Sequence, residues 1–386
     1  MISIVFGMFL AMFYSIGMIV ESGIGVLKSV FLDQYGTMHI VSIDEYALLN
    51  ASSDTGARSD ANVKLEEIRA ELSRTLNSEA ICCDTMNFDI GTVLGAFSFE
   101  IAFLTQKGEV QTFLDHQQVE ISEGVMPENA NELLIGETYA KNINKGIGDT
   151  ISFRKSINYR IVGILQDQSR KGGKRDACYL IVGTKSDDTF PGAIVLFPND
   201  ATYDGAGHRE AINYHDVLSK YPNTAQYIDS RQIEYVVDYT TWEKQYTIQY
   251  NAITNAMNKI RIISSTAIFI CLIVIFNLYM NDRRSEWCLY HSIGYSSKEI
   301  YFLIIRELLI ILSFAVLVGF VGYLGIYEVI NKLLFEPLGV TPVLFIGEET
   351  LGCFSILTLF FGILQTSVFY ALQRIKTVDA IDDSFI

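Results

Sequence analysis

Four apolar blocks, each free of charge and each long enough to cross a hydrocarbon core, constrain this chain more than any other feature. They run Ile2 to Val20, Ile262 to Met280, Leu308 to Ile326 and Leu351 to Leu372. A core of roughly 30 Å needs about 20 helical residues, and hydroxyl, amide and glycine interruptions do not prevent insertion. Half of the 386 residues are hydrophobic and only 19% are charged, against about 25% in a soluble protein. The missing charge is concentrated in these blocks, the pattern of a membrane protein with an extramembrane domain. The first block lacks the basic flank of a cleaved signal peptide, so it is expected to be a retained helix.

The short connections set the expected orientation. Arg283, Arg284 and Lys298 follow the second block, and Arg374 and Lys376 follow the fourth; the connection after the third holds Lys332 among Glu328, Glu336, Glu348 and Glu349. An excess of Lys and Arg marks cytoplasmic loops, which puts both termini and the Arg283 loop in the cytoplasm and the long segment after the first block outside. The net charge of -15 argues against nucleic acid, whose phosphates need clustered cations.

The expected fold is a four-helix membrane protein with a large mixed α+β extracytoplasmic domain inserted between helices 1 and 2. The expected divisions are 1–26 for the first helix, 27–240 for the domain, 241–281 for a stalk and second helix, and 282–303 for a cytoplasmic loop. The third helix takes 304–327, an outer loop 328–350, the fourth helix 351–372 and a cytoplasmic tail 373–386. Within the domain, Asn62 to Leu76 reads as a helix with Asp60 as its N-cap and Val63, Ile68, Leu72 and Leu76 on one stripe. Strands are expected at Phe97–Leu104, Val110–Leu114, Thr150–Phe153, Tyr159–Leu165, Tyr179–Val182 and Ala193–Phe197, separated by Gly, Asn, Asp and Lys turns. From Thr241 no Pro or Gly interrupts the way into the second block, which predicts a continuous stalk helix.

The Asn281–Ile300 connection is amphipathic in its own right. Trp287, Leu289, Tyr290 and Ile293 are offered to a surface, Gly294 breaks the helix, and Ser296 or Ser297 can cap the next one. An interfacial helix held by basic anchors and a docking helix for a cytoplasmic partner are both open readings. The pattern through Arg283, Arg284, Glu286, Leu289, Ile293, Gly294, Ser296, Ile300 and Glu307 resembles the FtsX-like/MacB-like ABC transporter permeases, the mechanotransmission (type VII) systems; His291 stands where the family has Arg. Leu133 to Leu165 and the tail Gln373 to Ile381 resemble further family segments, with Val378-Asp379 where Pro is common. The family's basic amphipathic helix before the first span has no counterpart here, and a second permease is one way to supply it.

The resemblance implies a permease subunit in the plasma (inner) membrane, working as a homo- or heterodimer with two ATP-binding subunits. It implies ATPase coupling through Arg283, Arg284, Glu286, Leu289, His291, Ile293, Gly294 and Ser296, with export or extraction of a peptide, antibiotic or lipid-linked substrate. The alternative it leaves open is a transducer that regulates a wall hydrolase or a sensor without transporting. An extracytoplasmic adaptor or target and membrane lipid are further expected partners. No catalytic, cofactor or metal site is expected in this chain: the stretch Gly183-Thr-Lys-Ser186 lacks the spacing of a phosphate loop, so ATP and Mg belong to the partner subunit.

Several residues carry weaker expectations. Gly319, Gly322 and Gly325 allow close helix approach, within one chain or between copies. Arg306 and Glu307 are expected to anchor the third span at the membrane boundary and to pair with each other. No ionisable residue lies deep in a span, which argues against a proton- or sodium-coupled carrier. Cys178 is placed to bridge Cys82 or Cys83 or to stay free, His208, His215, Asp204 and Asp216 are a weak metal candidate, and Arg170–Arg175 reads as a solvated basic turn or a lipid-headgroup contact.

Overall fold

The structure is a computed structural model that describes residues 2–50, 57–154, 157–167, 178–185, 190–198 and 214–374. The Arg170–Arg175 turn, Asp204, His208 and the tail beyond Arg374 lie outside the described residues. The chain divides into two compact units: 1–22, 252–333 and 342–386 in one, 23–251 and 334–341 in the other.

The elements run α1 (Ile2–Lys28), β1 (His39–Ile43), α2 (Glu45–Asn50), α3 (Ala57–Leu76), β2 (Ser78–Thr92), β3 (Gly95–Thr105), α4 (Glu109–Gln117), β4 (Val119–Gly124), β5 (Glu132–Gly136) and α5 (Glu137–Asn142). They continue as β6 (Thr150–Arg154), β7 (Ile157–Asp167), β8 (Ile181–Thr184), β9 (Ala193–Pro198), α6 (Tyr214–Ser219), α7 (Pro222–Asp229), β10 (Ile233–Val237), α8 (Tyr239–Ser292), α9 (Ser297–Ile330) and α10 (Gly347–Arg374). In chain order every strand falls between α1 and α8.

The second unit is a mixed α/β structure on one ten-stranded sheet, ordered β10-β1-β9-β2-β3-β8-β5-β7-β4, with β6 on β7. The β3–β8 and β5–β7 pairs are parallel and the others antiparallel. On one face, Ala61, Leu65, Ile68 and Leu72 of α3 form an i, i+4, i+7, i+11 stripe that packs with Val41, Ile194 and Leu196 of the sheet. On the other, Phe113 of α4 sits 4.8 Å from Phe103 and 5.3 Å from Phe197, ring centre to ring centre. Asn142 ties α5 to β2, accepting the Gly91 N–H at 3.0 Å and donating to the Gly91 carbonyl at 2.6 Å.

Three local expectations are corrected here. The helix begins at Ala57, so Asp60 lies inside it rather than capping it. Val63 is exposed, because the five-residue step to Ile68 leaves it about 140° off the buried stripe. Val110–Leu114 is helical, not a strand: Val110, Phe113, Leu114 and Gln117 are buried at i, i+3, i+4 and i+7, a period that five residues alone cannot reveal. Cys82, Cys83 and Cys178 are buried, and no disulfide joins them.

The first unit holds the apolar helices. Among the described residues, four helices are long and apolar enough to cross a membrane: 3–32, 239–292, 297–338 and 350–370. The segment from Thr241 is one unbroken helix into the second apolar block, and it does not stop there: α8 continues to Ser292, so Asn281–Ser292 is the end of that helix rather than a separate one. The shared core of this unit includes Phe6, Phe276, Met280, Trp287, Ile304, Leu308, Ala315, Phe360 and Val368.

Candidate functional site

The site is the turn joining α8 to α9. Gly294 has φ +107°, a left-handed conformation that L side chains rarely adopt. Around it the chain closes a Schellman motif: the Tyr295 N–H donates to the Tyr290 carbonyl and the Gly294 N–H to the His291 carbonyl, each at 3.1 Å. The Tyr290 and Tyr295 rings meet edge to face at 5.9 Å, the apolar contact that accompanies this motif. Ser296 then starts α9 with a capping box, its Oγ accepting the Glu299 N–H while Glu299 Oε2 accepts the Ser296 N–H at 2.8 Å. The Ser296 N–H, and after it the Ser296 hydroxyl, both donate to Glu299 Oε2 at 2.8 Å and hold that carboxyl below its ordinary range.

The helix end preceding the turn is fixed by charge. Arg283 bonds Glu286 one turn on, reaches Glu307 of α9 at 2.7 Å, and lies 5.8 Å over the Tyr279 ring. The expected Arg306–Glu307 pair is corrected: neighbours on a helix point about 100° apart, Arg306 faces outward, and the Glu307 carboxylate goes to Arg283. Trp287 is buried at 2% exposure in the helical core and is not offered to a partner. Leu289 and Ile293 are 58% and 67% exposed, one helical turn apart, with Tyr295 beside them at 47%. Arg284, Glu286, Gly294 and Ser296 are exposed and His291 is half-buried.

The three glycines separate. A Cβ on Gly319 would stand 2.9 Å from the Gly7 carbonyl oxygen, and one on Gly7 would stand 2.6 Å from the Ala315 carbonyl. Gly322 meets Ala11 Cβ at 3.5 Å, and around Gly325 there is nothing within 4 Å. Gly319 and Gly322 therefore serve a crossing of α1 on α9 inside one chain. Gly7 is the residue the sequence reading missed. Its signal was Gly7-x3-Ala11-x3-Ser15 within the first apolar block, a small-residue period of four.

Residues 259–380 match the family model for the C-terminal domain of FtsX-like permeases. The chain carries an FtsX-like permease domain. It takes in most of α8, all of α9 and α10, and the whole Schellman turn. FtsX-like permeases are generally non-enzymatic membrane subunits of ABC-type systems that work with ATP-binding subunits. No curated protein sequence matches this chain. Among solved structures, the periplasmic region of MacB from Actinobacillus actinomycetemcomitans aligns over 56% of this chain and 94% of its own, at 12% identity and a TM-score of 0.28, a likeness too slight to support an inference.

Proposed function

We propose that this chain is the permease subunit of an ABC transporter, and that the α8–α9 turn is where a cytoplasmic ATP-binding subunit docks. The termini are then cytoplasmic and the α/β unit, placed between the first and second spans, extracytoplasmic. Two permeases, identical or paired with a second kind, act with two ATP-binding subunits that hold ATP and Mg. The substrate is a peptide, antibiotic or lipid-linked molecule exported or extracted at the outer face. Closure of the ATPase pair pushes the turn, and α8 carries the displacement outward as a single rod.

The observation that carries this reading is the exposed Leu289–Ile293–Tyr295 face beyond the Arg283 charge cluster. Exposed apolar residues on a turn held by a Schellman motif and a capping box form a stiff, unpartnered contact surface. Arg283, Arg284 and Glu286 supply charges at its edge, where they favour encounter and register.

The test is ATPase activity of the chain co-expressed with an ATP-binding subunit and reconstituted in nanodiscs. Leu289→Asp with Ile293→Asp replaces exposed side chains and should leave the fold intact, yet should abolish co-purification or lower coupled ATPase at least about tenfold, a loss of about 1.4 kcal/mol. Glu286→Ala with Gly294→Pro, which breaks the turn, should do the same. Association and activity equal to wild type in both pairs would sink the proposal.

A further inference from the structure

Within the helical unit, α1, α9 and α10 do not close on one another completely. Between them lies a cavity of about 270 Å³, lined by Leu10 and Ala11 of α1, Val316 and Gly319 of α9, and Phe354 and Leu357 of α10. It lies beside the close contact that Gly319 makes with Gly7 of α1, with larger residues standing around it. One end carries the hydroxyls of Tyr14 and Thr350, which hydrogen-bond each other at 3.1 Å. Tyr14 also accepts the Ile346 N–H at 2.9 Å, and Tyr323 donates to the Leu344 carbonyl at 2.6 Å. That end lies at the start of α10, where tyrosines gather as they do at a membrane boundary.

We infer that this cavity holds one acyl chain of a membrane phospholipid, with its ester end toward the start of α10. Water is excluded by chemistry: an apolar cavity of about 150 Å³ already stays dry and takes up benzene instead. The rim is continuous with the lipid-facing surface of the spans, since Phe320, Phe345 and Phe354 are 50%, 63% and 62% exposed around the opening. On α9 and α10 the lining residues each span seven positions, about 10 Å of helix rise, so the site takes a length of chain rather than a single methyl group. The bound tail fills the space between α10 and the α1–α9 pair.

The full-length protein is reconstituted in phosphatidylethanolamine–phosphatidylglycerol nanodiscs doped with phosphatidylethanolamine bearing a mid-chain diazirine, then irradiated and mapped by peptide mass spectrometry. Leu10, Val316 and Leu357 should be labelled at least about threefold more than Ile263 and Ile270, although those two α8 residues are 68% and 58% exposed. Cys353→Phe, which puts a ring into the cavity wall, should reduce the Leu10 and Val316 adducts and leave those on Ile270 unchanged. Labelling that simply follows exposure would overturn the inference. So would adducts unaffected by Cys353→Phe, or a cross-linked partner at Phe354 that proves to be a second permease chain. If that variant fails to fold, the wild-type map decides alone.

Discussion

Replacing glycine by alanine at Gly7, Gly319 and Gly325 separates packing from propensity at three positions of similar chemistry. In an exposed helix interior the change stabilises by about 1 kcal/mol, because alanine restricts the unfolded chain. At Gly325 nothing lies within 4 Å, so that gain is expected in full. At Gly319 the new methyl meets the Gly7 carbonyl oxygen at 2.9 Å, and at Gly7 it meets Ala315 O, Gly319 N and Val318 Cβ at 2.6, 2.8 and 2.9 Å. Contacts under 3.0 Å against backbone cannot be relieved by a rotamer change, and overpacking of this kind costs about 1–3 kcal/mol. The net expectation is destabilisation of about 1–2 kcal/mol at Gly7, somewhat less at Gly319, and stabilisation at Gly325, a spread of about 2–3 kcal/mol. Unfolding of the purified protein in mixed micelles by rising SDS fraction, followed by tryptophan fluorescence, measures it. A neutral Gly7→Ala would refute the α1–α9 crossing. A Gly325→Ala loss as large as that at Gly319 would mean that Gly325 packs on another chain.

The other expectations concern the turn and the α/β unit. A double-mutant cycle on Arg283 and Glu307, both about one-third exposed, should give a coupling of about 0.5–1 kcal/mol that shrinks with added salt; a coupling of zero would make the pair incidental. Ser296→Ala should lower the protection factor of the Glu299 amide, and acid should lower that of the Ser296 amide: the Glu299 pKa is depressed, so its stabilisation is complete above the ordinary 4.5 and disappears as pH falls through the lowered value. A Glu299 protection factor unchanged by Ser296→Ala, or a Ser296 one that never falls on acidification, would contradict this. Asn142→Ala leaves both polar groups of Gly91 without their partner and should lower stability by about 1–3 kcal/mol, read as a lower Tm. The Cys82 thiol, pushed up to about 12 by burial, should resist maleimide at pH 8 until the protein is unfolded; fast labelling of native protein would show the strand to be open.

What the sequence disclosed depended on the range of each signal. The four apolar blocks were legible because twenty uncharged residues have few other uses, and Gly294 with Ser296 because a left-handed turn followed by a capping box is written in adjacent residues. The strands of the sheet's interior were legible where apolar runs were bounded by turn residues, as at Tyr159–Leu165. Val110–Leu114 was not, since a short apolar run fits both periods until its neighbours are counted. Contacts made across the chain left less trace. Nothing next to Glu307 in sequence points to Arg283, 24 residues earlier, and Trp287 looks like an offered side chain until the helices around it are assembled. Gly7 shows the middle case: its period with Ala11 and Ser15 was visible, but its partner on α9 is over three hundred residues away.

In lipid the hydrophobic effect does not hold apolar helices together, so a bundle depends on close backbone approach and on polar groups that must be satisfied. Both kinds of contact converge on α1. Gly7 brings it onto α9, the Tyr14 hydroxyl takes the Ile346 N–H, and Ser22 Oγ accepts the Val343 N–H at 3.0 Å. Tyr323 and Tyr327 of α9 cover the Leu344 and Pro342 carbonyls from the other side, at 2.6 and 3.3 Å. The irregular segment before α10 thus has its backbone groups met by side-chain hydroxyls, as a nonhelical stretch near hydrocarbon requires. The apolar stretch of α8 has no comparable tie. Only 6% of it is buried, against 39% for α1; Phe269 meets Phe360 of α10 at 6.3 Å, and the buried contacts lie at the Phe276–Trp287 end, where Arg283 meets Glu307. The end of α8 nearest the turn is thus held to the bundle by an ion pair and a buried tryptophan rather than by small residues.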